Sequence, residues 1–102
     1  MDRKVEDVLI ELGISPKLAG FDYICSAVRH INNNKGKQKR VCKIYELVAE
    51  EIGTKPDRIE KCIRHAFSKV NTKSETYQKY IGIRETTNSA LLYTLAMRLK
   101  KD

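Results

Sequence analysis

Residues 45–64, YELVAEEIGTKPDRIEKCIR, decide the fold. Ala49, Gly53 and Ile59 fall four and then six residues apart, the spacing of a helix-turn-helix. Each position has a steric reason. A small residue at Ala49 lets two helices approach closely, and Gly53 takes the left-handed conformation that ends the first helix at little cost. Ile59 then returns from the second helix to cover the first. Thr54 and Asp57 read as a T-x-x-D capping start, and Pro56 suits the first turn, where its missing N–H is not needed.

The second helix is expected over about residues 56–70. At 100° per residue, Ile59, Ile63, Ala66, Phe67 and Val70 share one apolar stripe. Lys61 points almost directly away from it, flanked by Asp57, Arg58, Arg64, His65 and Ser68. This is the chemistry of a helix that reads double-stranded DNA. Arg58 can pair bidentately with a guanine edge, Glu60 can accept from a cytosine amine, and Lys61 can reach a guanine or a phosphate. Lys55, Arg64, His65, Ser68 and Lys69 then fall to the phosphate backbone or the groove edge. The competing reading is an ordinary solvated helix face; the preceding turn disfavours it.

Charge is distributed as this reading requires. The 102-residue chain carries a net charge of +7, which suits a polyanionic partner. Residues 1–34 hold four basic and five acidic groups, residues 35–70 ten and five, and residues 71–102 six and three, so the excess begins where the motif region begins. The densest basic run, Lys35-Gly36-Lys37-Gln38-Lys39-Arg40, lies between two helical stripes. It reads either as a phosphate-contacting loop, through Lys37, Lys39 and Arg40, or as a plain solvated linker.

Other function classes find little support. No segment approaches the roughly 20 apolar residues that span a bilayer, and the charged start MDRKVED lacks a signal-peptide core. Three cysteines without C-x-x-C pairing argue against a disulfide framework and fit a reducing cytoplasm. Cys62 and His65 are spaced i,i+3, but two ligands without a second pair fall short of a metal site. His30 and His65 lack a nucleophile partner, and no carboxylates cluster, so neither an enzyme nor a cofactor is expected. His30, near its helix end, reads as a cap or surface residue.

The remainder reads as helical support for one domain over 1–102. Val5, Val8, Leu9 and Leu12 form a stripe ending at Gly13, and Ser15-Pro16 opens the next segment. Phe21, Ile24, Cys25, Val28 and Ile31 repeat at helical spacing as far as Asn32-Asn33-Asn34. Ile44, Leu47, Val48 and Ile52 make the inward face of the first motif helix. A short helix is expected over 75–80. Thr87-Asn88 caps a final helix whose Leu91, Leu92, Leu95 and Leu99 face inward, with Arg98, Lys100 and Lys101 at its negative end. No period-2 run marks a strand. The expected fold is all-α, a compact domain of about six helices containing a helix-turn-helix.

Three blocks in order carry a family resemblance: ELGISPKLAGFDYI, RIEKCIRHAFSKV and TTNSALL. Over about residues 5–100 the chain resembles the C-terminal effector domain of the master sporulation response regulator of endospore-forming bacteria. The resemblance implies a six-helix DNA-binding domain that recognises promoter boxes like TGTCGAA and activates or represses transcription. It also implies base contacts by Arg58, Glu60 and Lys61, with Arg64 and His65 near the backbone or groove edge. Lys61 stands where the family typically has Arg, which removes a planar bidentate fork. Asp57 replaces a small hydroxyl residue, helping the helix dipole but repelling a nearby phosphate. Members normally carry an N-terminal receiver domain; here Met1 is followed almost at once by the first helix, as in an excised domain or a stand-alone regulator. RNA polymerase and a weakly associating second copy on tandem DNA sites, meeting through residues 87–101, are the further expected partners. The alternative function is a receiverless protein-interaction module that modulates another regulator or RNA polymerase.

Overall fold

A computed structural model describes residues 4–33, 40–82 and 87–100. Six helices follow in order: α1 (Val5–Leu12), α2 (Ala19–Asn32), α3 (Val41–Ile52), α4 (Pro56–Phe67), α5 (Glu75–Tyr80) and α6 (Asn88–Lys100). The described residues contain no strand. α2 is the central element and packs against α1, α3, α4 and α6, while α5 joins α1 to α6. The core is chiefly aliphatic, with Leu9, Leu12, Ile24, Ile59, Ile63, Leu92 and Leu95 fully buried along the predicted stripes.

Local chemistry explains where the helices stop. At Gly53 the backbone turns left-handed, with φ 88°. The Gly53 and Thr54 N–H groups both return to the Ala49 carbonyl, at 2.8 and 2.9 Å, and close the end of α3. Gly13, with φ 99°, ends α1 in the same way, and Ile14 bonds back to Leu9 while burying its side chain. Space around Gly53 is open, since an added Cβ would meet no atom within 4 Å. Only the backbone conformation therefore opposes a side chain. Gly53→Ala is expected to lower stability by about 1 kcal/mol without moving α4; chemical denaturation with an unchanged circular dichroism spectrum checks both halves.

Five expectations need correction. The T-x-x-D cap does not form. Lys55 is the N-cap residue of α4, without a side-chain cap bond, and Pro56 occupies the first turn. The Thr54 N–H already belongs to the end of α3, so the new helix begins one residue later. Asp57 contributes only its charge to the first turn. α4 also stops at Phe67, before residue 70. Lys69 and Val70 bond back three residues to Ala66 and Phe67, and Asn71 donates to Leu12 at 2.9 Å, which ties this turn to the end of α1. Val70 leaves the helix but stays against the core.

Ile52 is 42% exposed rather than inward. It is the last residue of α3 and lines an open groove with Val5 and Cys25. Arg98 does not serve the end of its own helix. Its Nη1 donates to the Gln78 and Lys79 carbonyls, at 3.1 and 2.9 Å, and so satisfies the C-terminal end of α5. His30 is a half-buried neighbour of α3, its Nε2 3.6 Å from Glu51 Oε2, rather than a cap. Ser26 and Arg29 reach the same carboxylate, so three residues of α2 converge on Glu51 of α3. The Ser26 hydrogen bond, followed by the nearby Arg29 charge, holds the Glu51 carboxyl below its ordinary range.

Candidate nucleic-acid interface

α4 is locked to the rest of the domain along one side. Ile59, Ile63 and Ala66 are fully buried, and Phe67 nearly so. This leaves Lys55, Arg58, Lys61, Arg64, His65, Ser68 and Lys69 exposed, with Glu60 half-buried at the margin. The expected reading face therefore forms one continuous surface along α4. Arg40, the N-cap residue of α3, is exposed as well. Lys37 and Lys39 lie outside the described residues.

The close seat of α4 depends on a residue of α2 with no evident signal in the sequence. A Cβ added at Gly20 would stand 2.2 Å from the Cys62 carbonyl oxygen and 2.8 Å from the Ala66 Cβ. Only glycine lets the two backbones approach so closely. Nothing in the helical period of α2 distinguishes this requirement from an indifferent small residue, so the position escapes sequence reasoning.

Several polar side chains are held in place. Arg64 donates to Glu60 one turn back through Nε, at 3.1 Å, and also through Nη2. The pairing pushes the Arg64 guanidinium further up from its already high range. Arg58 is raised likewise, first by a hydrogen bond with the buried Tyr23 of α2. Lys61 has no partner among the described residues. The three expected base readers thus differ in preparation: Arg58 leans on Tyr23, Glu60 is shared with Arg64, and Lys61 is unconstrained.

A hollow of about 350 Å³ beside the face is lined by Tyr45, Glu60 and Arg64 and by Thr87 and Asn88 at the start of α6. Burial, then the neighbouring Glu60 charge, pushes the Tyr45 phenol up to about 12, so it remains a neutral hydrogen-bonding group. Thr87 Oγ1 accepts from the Ala90 N–H at 3.3 Å, the expected cap of α6. Tyr23 and Tyr45 were not identified by sequence reasoning, and Asn88 was read only as part of the α6 cap, not as a hydrogen-bond partner of Tyr45. Each supports the face through contacts between elements, which a one-dimensional period does not reveal.

The arrangement presents a cationic, hydrogen-bonding helix face of the kind that suits a polyanionic partner. Among the described residues, no helix is long and apolar enough to cross a membrane. Residues 5–99 match the family described as "Sporulation initiation factor Spo0A C terminal". The match covers nearly the whole chain, and the chain belongs to this family of DNA-binding effector domains of a sporulation regulator. The family is one of double-stranded DNA binding and transcription regulation, not an enzyme family.

Proposed function

We propose, on the premise of that membership, that the chain is a sequence-specific transcription regulator whose α4 enters the major groove of double-stranded DNA. The observation that carries this reading is the polarity of α4: Ile59, Ile63 and Ala66 are sealed in the core while Arg58, Lys61, Arg64, His65 and Lys69 lie outside. Arg58, Glu60 and Lys61 meet bases. Lys55, Arg64, His65, Ser68, Lys69 and Arg40 meet the backbone or groove edge, and Lys37 and Lys39 extend the same contact. The preferred boxes resemble TGTCGAA. The protein acts in the cytoplasm, beside RNA polymerase, with a second copy associating weakly on tandem boxes.

The Glu60–Arg64 pair refines the assignment of roles. In the free protein Glu60 neutralises an arginine that is otherwise available to phosphate. Accepting from a cytosine amine allows Glu60 to keep Arg64 as a neighbour, whereas a poorly matched base leaves a carboxylate facing an unfavourable edge. Glu60 thus contributes both attraction at the right site and rejection at the wrong one.

Mobility-shift titration with a TGTCGAA-like duplex and a scrambled duplex tests the reading. Arg58→Ala and Glu60→Ala are each expected to cost about 1–3 kcal/mol on the box and much less on the scrambled duplex. Lys61→Arg restores a planar fork and is expected to sharpen guanine preference. Equal affinities of the unsubstituted protein for the two duplexes would remove sequence-specific reading, and absence of binding to either would favour a protein-interaction module.

A further inference from the structure

A second cavity, of about 290 Å³, opens where the C-terminal end of α4 meets α5 and α6. Phe67, Val70, Tyr77, Ile81 and Leu91 form its apolar wall. The wall belongs to the core: Ile81 is fully buried, Phe67 is 8% exposed, and Val70, Tyr77 and Leu91 pack against the main cluster. Arg64 stands among the lining groups with Ser68, Thr72 and Asn88. The site therefore combines an aromatic and aliphatic pocket with one guanidinium and a few neutral polar groups, the composition of a small-ligand site.

We propose that this cavity binds a small amphipathic carboxylate, an aryl-alkyl or medium-chain acid, with its apolar body on Phe67, Tyr77 and Leu91 and its carboxylate on Arg64. Size favours this class. A cavity of about 150 Å³ holds benzene, so the larger space here suits roughly 10 to 12 non-hydrogen atoms. Charge favours it too. One guanidinium matches one planar carboxylate, whereas a phosphate dianion calls for more donors. Glu60 already supplies the precedent, since a carboxylate is the group that Arg64 holds in the free protein.

The ligand exchanges one carboxylate for another on the same arginine. Arg64 turns from Glu60 towards the cavity, and Glu60 is left as an uncompensated negative charge on the reading face. Bound acid thus opposes bound DNA, and by linkage DNA weakens the acid by the same factor. This second consequence rests on the placement of Arg64 at DNA proposed above; occupation of the cavity does not.

The test is a nuclear magnetic resonance titration of the whole chain with 4-phenylbutyrate, and in parallel with its uncharged amide. Saturable shifts are expected at Val70, Tyr77 and Leu91, half-complete at about 1 mM or below, with the amide at least about tenfold weaker. Val70→Phe and Thr72→Phe fill the cavity from different sides. Each is expected to lose at least about tenfold in acid affinity, with helical content and duplex binding retained. Absence of saturable shifts, equal binding of acid and amide, or undiminished binding by both folded variants overturns the site. In mobility shifts, saturating acid is expected to weaken box binding at least about threefold. Unchanged box binding by acid-saturated protein overturns the antagonism. Failure of the α4 reading is seen separately, as absence of box binding by the acid-free protein.

Discussion

Gly20→Ala is expected to lower the melting temperature by roughly 8–16 °C, a net cost of about 2 kcal/mol, because the added methyl group has no space between α2 and α4. The Cβ would lie 2.2 Å from a backbone oxygen and 2.8 Å from another methyl carbon. The oxygen belongs to Cys62, in the middle of α4, and cannot rotate aside as a flexible side chain does. Either the helices separate or α4 shifts along α2, and both loosen the burial of Ile59, Ile63 and Ala66. Overpacking of this kind costs about 3 kcal/mol, which is a large part of the 5–15 kcal/mol typical of a domain. For about 100 residues, each 1 kcal/mol moves the melting point by roughly 4–8 °C. The better helix propensity of alanine offsets only about 1 kcal/mol.

Gly20→Val is expected to be worse, and Gly53→Ala supplies the contrasting control, since no atom lies near its added Cβ. Thermal unfolding followed by circular dichroism measures all three. A Gly20→Ala melting point within a few degrees of the original would show that α4 is not held by this close approach. Below its melting point, the variant is also expected to bind duplex DNA more weakly, because the reading face is carried on the displaced helix. A folded variant with undiminished DNA affinity would separate the seat of α4 from recognition.

Gly20 also marks the boundary of what the sequence reveals. Periodicity identified five of the six helices, since burial of Val8, Leu9 and Leu12 or of Leu92, Leu95 and Leu99 follows from spacing within one segment, while the six-residue α5 is too short to show a stripe of its own. The left-handed turn at Gly53 was equally legible, because glycine there answers a local steric demand. Thr54 misled because its N–H had a stronger claim from Ala49, a competition visible only once the turn is built. Arg98 misled for a related reason. Its charge suits the end of α6, but carbonyls at the end of α5 lie within reach and also lack helical partners. On the candidate interface, the exposed side chains were legible from helical phase. Their partners, Tyr23 for Arg58 and Tyr45 beside Glu60, arise from the meeting of α2, α3 and α4.

DNA affinity is expected to fall about 500-fold between roughly 50 and 200 mM salt, because charge on and beside α4 displaces counterions from the duplex. The argument begins with the net charge of +7 and its concentration in residues 35–70. Lys55, Arg58, Lys61, Arg64, Lys69 and Arg40 are exposed on or near the motif. Not all count fully. Arg64 is paired with Glu60, and Asp57 opposes phosphate at the start of α4. If about five phosphates are neutralised, the logarithm of affinity falls with the logarithm of salt at a slope near −4.5. Arg40→Ala and Lys69→Ala are each expected to reduce the steepness by about one and to weaken box and scrambled duplexes alike, as phosphate contacts do. Arg58→Ala differs: its effect falls chiefly on the box, since a base-edge contact has no equivalent on the scrambled duplex. Fluorescence anisotropy across a salt series measures both quantities for each variant. A slope shallower than about −2 would mean that the exposed cations of α4 and Arg40 do not lie along the backbone, and α4 would lose the electrostatic footing that a helix in the major groove requires.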